Sequence, residues 1–164
     1  GWGGMAIEIA KSTGAKVKGI TLSENQFKKA SERAQKEGLS DKVTFALQDY
    51  RNETEKYDRI VSVGMFEHVG VKYFKTYLSK ANDILKENGV FLLHTIGQRG
   101  KPTATSPWIR KYIFPGGYIP SLSEVMKETQ KLNINVTDVE VLDYIMLILL
   151  HVGIKMFWKI KIKL

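Results

Sequence analysis

There is no cysteine among the 164 residues and there are only three histidines. That excludes a disulfide framework and thiolate metal sites, and three scattered imidazoles are a poor basis for structural zinc. Proline is nearly as scarce, and all four copies fall between Gly97 and Pro120. Long apolar runs are also lacking. The longest, Tyr144 to Ile154, stops at Lys155, well short of the ~20 residues needed to cross a bilayer. The sequence therefore predicts no transmembrane helix, and it predicts a cytoplasmic location with at most peripheral contact with a membrane.

What is present fits one globular domain. Hydrophobic residues make up 43% and charged residues 26%, ordinary values for a chain that folds. The formal charge is +8, but Lys155, Lys159, Lys161 and Lys163 supply half of it from the extreme C-terminal stretch. A positive excess attracts nucleic acid or anionic membrane through a general field. Because Lys and Arg are dispersed and no nucleic-acid motif appears, nucleic acid is not expected as a partner. A shallow association with anionic lipid is.

The apolar pattern alternates between periods. Gly1-Trp2-Gly3-Gly4 opens a helical pattern in which Met5, Ala6, Ile7, Ile9 and Ala10 share a face. Lys16 to Thr21 reads as a strand, Glu24 to Glu37 as a helix closed by Gly38, and Val43 to Gln48 as an alternating strand. Tyr57 to Val63 is an apolar strand suited to a buried sheet centre. Tyr73 to Lys86 is a helix ending at Asn88-Gly89, and Val90 to Ile96 is another apolar strand. Gly97 to Pro120, rich in Gly, Pro and aromatic residues, predicts a structured loop with one short helix. A helix over Ser121 to Leu132, capped by Ser121 or Ser123, and a strand over Asn135 to Val141 complete the sheet. Strands separated by helices predict an α/β fold of Rossmann type, a mostly parallel sheet with helices on both faces. A glycine cluster at a helix start normally follows a buried strand. The first strand is thus expected to be missing, with the chain starting inside a larger domain.

In such sheets ligands bind beyond the carboxyl ends of the strands. Four groups belong there: Gly1 to Gly4, Thr21-Leu22-Ser23-Glu24-Asn25-Gln26, Gln48-Asp49-Tyr50-Arg51, and Gly64-Met65-Phe66-Glu67-His68. Taken alone, each has an ordinary structural explanation. The glycines fit a tight turn equally well, and Ser23 with Gln26 fits a capping box. Asp49 and Tyr50 offer a hydrogen-bond acceptor and a flat ring, as an adenine needs, or simply end a strand.

Together, the blocks are more specific. Gly1-Trp2-Gly3-Gly4, Gly19 to Gln26, Gln48 to Arg51, Tyr57 to Gly70, Leu93-His94-Thr95-Ile96-Gly97 and Trp108 to Tyr118 resemble, in the same order, the signatures of cyclopropane-fatty-acyl-phospholipid synthases. The resemblance runs from residue 1 to about residue 142. It implies a class I methyltransferase fold with S-adenosylmethionine as donor and an unsaturated phospholipid as acceptor. It also implies that Gly1, Trp2 and Gly3 lie against the methionine part of the cofactor, Thr21 to Gln26 face its ribose and adenine, and Asp49 and Tyr50 flank the adenine. Glu67, His94 and the backbone of Ile96 are implied to hold a bicarbonate ion as general base. A coclaurine-type N-methyltransferase shares the Met65 to Gly70 block, but the His94 to Gly97 block favours the lipid enzyme. A mycolic-acid-type synthase would differ only in its acyl carrier.

Adding a methyl group to an isolated alkene creates positive charge on carbon, and a proton must then leave the new methyl for a ring to close. Such a site needs an aimed sulfonium, walls that tolerate a cation, and a base shielded from water. Phe66, Tyr112, Phe114 and Tyr118 are candidate aromatic walls, though such rings usually anchor a loop. His68 reads as structural.

The C-terminal stretch departs from the pattern. After Asp143 the family continues with a His-Tyr-Ala-containing run whose tyrosine belongs to the bicarbonate site, whereas this chain reads Tyr144 to Leu150 as Tyr-Ile-Met-Leu-Ile-Leu-Leu. The expected division is thus a methyltransferase domain over 1–143 and a divergent tail over 144–164, explicable as a shifted reading frame. Tyr144 is not carried over as the site tyrosine, and the fragment is expected to lack activity if the altered ends matter.

Overall fold

The computed structural model describes residues 1–98, 100–132, 134–141 and 156–163, the last stretch by its backbone alone. The chain divides into two compact units, Gly1–Thr54 and Glu55–Leu164.

In the first unit, helix α1 (Gly4–Thr13) leads into strand β1 (Val17–Thr21), helix α2 (Glu24–Lys36) and strand β2 (Val43–Leu47). β1 and β2 pair in parallel from Val17↔Val43 to Thr21↔Leu47. Ile7 and Ala10 of α1, Ala34 of α2 and Val43 of β2 form the core, with Val17, Leu39 and Phe45 packed around it. Glu53 is buried beneath the sheet end, paired with Lys18 at 3.0 Å and accepting a hydrogen bond from Gln48; partnering is what makes such a buried carboxylate tolerable. α2 starts at Ser23, whose hydroxyl accepts from the Gln26 N–H. The second half of the expected capping box does not form. The Gln26 side chain instead accepts from the Thr21 hydroxyl at 2.7 Å, and Thr21 in turn accepts from the Ser23 N–H.

In the second unit, strand β3 (Tyr57–Val63), helix α3 (Phe74–Asp83), strand β4 (Leu85–Gly97), helix α4 (Leu122–Lys131) and strand β5 (Asn135–Val141) follow in the expected order. A further strand, β6 (Met156–Lys163), lies between β4 and β5, giving the spatial order β3-β4-β6-β5. β3 and β4 are parallel, and β6 is antiparallel to both β4 and β5. The α/β class is therefore as expected, but the strands form two sheets rather than one, and β6 runs against its neighbours.

Two element boundaries depart from expectation. α3 stops at Asp83, not Lys86, because the Ile84 carbonyl accepts from the Tyr57 N–H and Leu85 already pairs with Tyr57. The ladder then shifts register past Asn88, whose φ is 61°. β3 is also not the buried centre that its apolar run predicts. It is the edge of its sheet, and Val61 and Val63 are exposed. Ser62 faces the other way, buried, accepting a 2.6 Å hydrogen bond from Tyr77. There Phe66, Phe74, Leu78, Leu93 and Val125 form the fully buried core.

Tyr144 and the rest of residues 142–155 lie outside the described residues. Among the described residues no helix is long and apolar enough to cross a membrane.

Candidate active site

Each unit carries one cluster of the expected residues. In the first, the strand ends bring two blocks together: Thr21 pairs with Leu47, and the Gln48 N–H donates to the Thr21 carbonyl at 3.0 Å. Thr21 to Gln26 and Asp49-Tyr50 therefore leave the same edge of the sheet. Thr21, Ser23 and Gln26 are occupied by the local hydrogen bonds described above, while Leu22 is 74% exposed and Glu24 stands in the first turn of α2. Asp49 is held by its neighbour, its carboxylate accepting from Arg51 Nε at 2.9 Å and Nη2 at 2.7 Å. This pairing keeps the Asp49 carboxyl below its ordinary pKa. Tyr50 starts a 3-10 turn, and burial pushes its hydroxyl pKa up.

The glycine loop is tightly specified. Gly3 caps α1 with φ 84°, and a Cβ there would stand 2.9 Å from the Ala30 Cβ and 3.1 Å from the Phe45 ring. Only glycine meets both conditions without strain. The carbonyl of Trp2 accepts from Arg33 at 2.9 Å. Trp2 and Asn25 line one open groove of about 500 Å³ with Lys28, Lys29, Glu32 and Arg33. A Cβ placed on Gly1 would meet no atom within 4 Å. Uncrowded backbone ahead of a helix N-terminus, with an exposed apolar residue beyond the end of β1, leaves room for a nucleoside cofactor.

The second cluster forms where β3 and β4 end. Val63 pairs with His94, and the Gly64 N–H donates to the His94 carbonyl at 3.1 Å. The chain then makes a 3-10 turn, Phe66–His68. Phe66 is fully buried, its ring stacked on Phe74 at 4.2 Å, so it anchors the turn instead of walling a pocket. That anchor carries Glu67 inward to 1% exposure. Glu67 Oε1 accepts from the Ile96 N–H at 2.6 Å. His94 and Ile96, two residues apart on β4, share one face of the strand, opposite fully buried Leu93 and Thr95.

Glu67 and Ile96 are thus in direct contact, and His94 shares the strand face of Ile96. Of the Ile96 backbone, expected to help hold an ion, the N–H is donated to Glu67. The second carboxylate oxygen, Oε2, is buried with no hydrogen-bond partner among the described residues. A buried acceptor of this kind is costly unless a donor reaches it. The hydroxyl of a bicarbonate ion is such a donor, so Glu67 fits that ion through Oε2.

The Gly97 to Pro120 segment closes on this turn. The Tyr118 N–H donates to the Glu67 carbonyl at 2.8 Å, and Phe114 stacks on His68 at 4.5 Å. The Tyr118 hydroxyl donates to Glu124 at 2.7 Å, and Glu124 also accepts from the Ser121 N–H, completing the cap of α4. Burial, and then this bond, push the Tyr118 pKa up to about 12. Sequence reasoning places Tyr118 only as a wall and misses its clamp on Glu67; the visible signal is the Ser121-x-x-Glu124 spacing that fixes Glu124. Tyr112, another candidate wall, is 63% exposed.

Parallel strand pairs with interleaved helices and a glycine-capped first helix are a Rossmann-type arrangement. Solved structures share this arrangement: the chain superposes on the mycolic acid cyclopropane synthase CmaA1, complexed with SAH and CTAB, with a TM-score of 0.83 at 23% identity, covering 100% of this chain and 75% of that one. A geranyl diphosphate methyltransferase in complex with SAM matches with a TM-score of 0.82 at 17% identity, over 99% of this chain and 74% of that one. More narrowly, the chain belongs to the mycolic acid cyclopropane synthetase family, whose model matches residues 1–153. The cyclopropane-fatty-acyl-phospholipid synthase of Escherichia coli is 48% identical over 130 residues, 79% of this chain and 33% of the relative. The tuberculostearic acid methyltransferase UfaA1 of Mycobacterium tuberculosis is 35% identical over 133 residues, 79% of this chain and 31% of its own length. The chain spans about a third of the length of these curated relatives.

Proposed function

We propose that this protein carries the catalytic core of an enzyme that transfers a methylene unit from S-adenosylmethionine to the double bond of an unsaturated acyl chain in a phospholipid. The observation that carries the reading is Glu67: a buried carboxylate fixed through Oε1 by the Ile96 N–H, with Oε2 left for a donor. The acyl substrate is supported by the names of the relatives, among them a cyclopropane-fatty-acyl-phospholipid synthase, a probable fatty acid methyltransferase and a tuberculostearic acid methyltransferase.

S-adenosylmethionine supplies the electrophilic methyl group when bound. Gly1, Trp2, Gly3, the Thr21 to Gln26 segment, Asp49 and Tyr50 are its proposed contacts. Glu67, His94 and Ile96 form the site for a base, with bicarbonate as the group that Glu67 Oε2 would hold. The role of these residues is to fix a proton acceptor where water is excluded and to keep it from drifting as charge develops. Because the substrate lies in a bilayer, the enzyme works at a membrane surface, peripherally and from the cytoplasmic side.

The Glu67→Gln variant tests this reading. Glutamine keeps an oxygen for the Ile96 N–H but removes the carboxylate. Labelled S-adenosylmethionine is offered with unsaturated phospholipid vesicles or with a benzylisoquinoline amine. Label enters the lipid with the native protein and falls by roughly 10²-fold or more in the variant, while thermal stabilisation by S-adenosylhomocysteine is retained. Label in the amine alone would identify an N-methyltransferase, and an undiminished variant would remove Glu67 from the chemistry.

A further inference from the structure

The short helix in the Gly97 to Pro120 segment presents an unusual surface. Trp108 is 61%, Tyr112 63% and Ile113 58% exposed. The helix is of π type, Ile109–Ile113, closed by the Phe114 N–H donating to the Ile109 carbonyl at 2.7 Å. The wide turn brings residues five apart toward one side, so Ile113 shares a side with Trp108. The Trp108 and Tyr112 rings lie 6.3 Å apart. The local sequence carries charge of one sign: from Lys101 to Pro120 it has Lys101, Arg110 and Lys111 and no acidic residue. Arg110 and Lys111 belong to the helix itself, and the Lys111 ammonium stands 5.0 Å over the Tyr112 ring.

We propose that Trp108, Tyr112 and Ile113, flanked by Arg110 and Lys111, are the surface by which this protein docks on an anionic lipid bilayer. The inference rests on the reading of the substrate as a bilayer lipid. Indole and phenol rings favour the boundary between headgroups and acyl chains. Basic side chains at their margin gain from the negative surface potential. The same patch is a poor surface for self-association, because a two-fold contact would place like charges against each other. It is also continuous with the candidate site, since Phe114, next to the helix, stacks on His68 and the Tyr118 N–H holds the Glu67 carbonyl. Docking here places the Glu67 turn at the membrane.

The test is co-sedimentation of the full chain with vesicles whose acyl chains are all saturated, so that docking is read without turnover. One set is phosphatidylcholine and the other contains phosphatidylglycerol. Native protein should bind the anionic set preferentially and lose binding as salt is raised. Arg110→Gln/Lys111→Gln should lower the partition coefficient roughly tenfold or more, and Trp108→Ala/Ile113→Ala should lower it comparably. All should keep their thermal stabilisation by S-adenosylhomocysteine. Variants that bind anionic vesicles as the native chain does would overturn the assignment. So would native protein that responds to S-adenosylhomocysteine but ignores vesicles, or variants that only abolish a dimer, which would make the patch a subunit contact. Docking that persists while no lipid is methylated would leave this inference standing and remove the proposed function.

Discussion

Gly3 shows how a single residue can fix a binding loop. With φ at 84° and Ala30 and Phe45 crowding the place of a Cβ, Gly3→Ala meets both backbone strain and overpacking. A loss of about 1–3 kcal/mol is expected in urea unfolding, and an unchanged midpoint would show that the helix start relaxes freely. Tyr118 titrates in a way that can be followed. Its folded pKa of about 12 lies above the ordinary value of 10, so the neutral hydroxyl is the stabilised form. Its contribution is complete below about pH 10 and is lost as pH rises toward 12. Thermal melts should therefore show the native chain losing stability over that window more steeply than Tyr118→Phe, and parallel curves would contradict the Tyr118–Glu124 bond. At this scale the sequence reveals which side chains sit at strand ends, because that follows from periodicity. It does not reveal that the Ile96 N–H pairs with Glu67, since a donor at a strand end pairs with whatever the next turn delivers. The same holds for Asp49, whose acceptors go to Arg51.

Helices and strands are legible where a local signal fixes them. Ser121, one of the two expected caps of α4, forms a reciprocal cap with Glu124. Ser121→Ala should cost about 1 kcal/mol, seen as a lower melting temperature with S-adenosylhomocysteine binding intact; no change would mean that the cap is redundant. The matching spacing of Ser23 and Gln26 yields only half a box, because a third hydroxyl, Thr21, lies between them in the hydrogen-bond chain. Competition of that kind is not visible in spacing. The end of α3 is displaced by sheet pairing of Leu85, a tertiary effect that helix propensity cannot anticipate. β6 is absent from the sequence-based expectation. Lys159-Ile160-Lys161-Ile162-Lys163 has the period-two alternation of a strand, but a shifted reading frame explains the same letters and hides it. The pattern makes a strand whatever its origin.

For the whole molecule, the order of elements and the class of fold are legible because helix and strand periods alternate so regularly. The split into two sheets is not, since β3 has the apolar composition of a central strand yet lies at an edge. The chain spans about a third of its curated relatives, so its catalytic account is best tested on the product. Lipid alkylation and cyclopropane formation begin with the same methyl transfer and differ in whether a hydrogen then leaves. The decisive measurement supplies S-adenosylmethionine with a fully deuterated methyl group to the protein and unsaturated phospholipid, and weighs the modified acyl chain. A base held by Glu67, His94 and Ile96 predicts a product that has lost its double bond and retains two of the three deuterons. An acyl chain that retains all three deuterons, or one that gains none while the cofactor is consumed, would contradict the account.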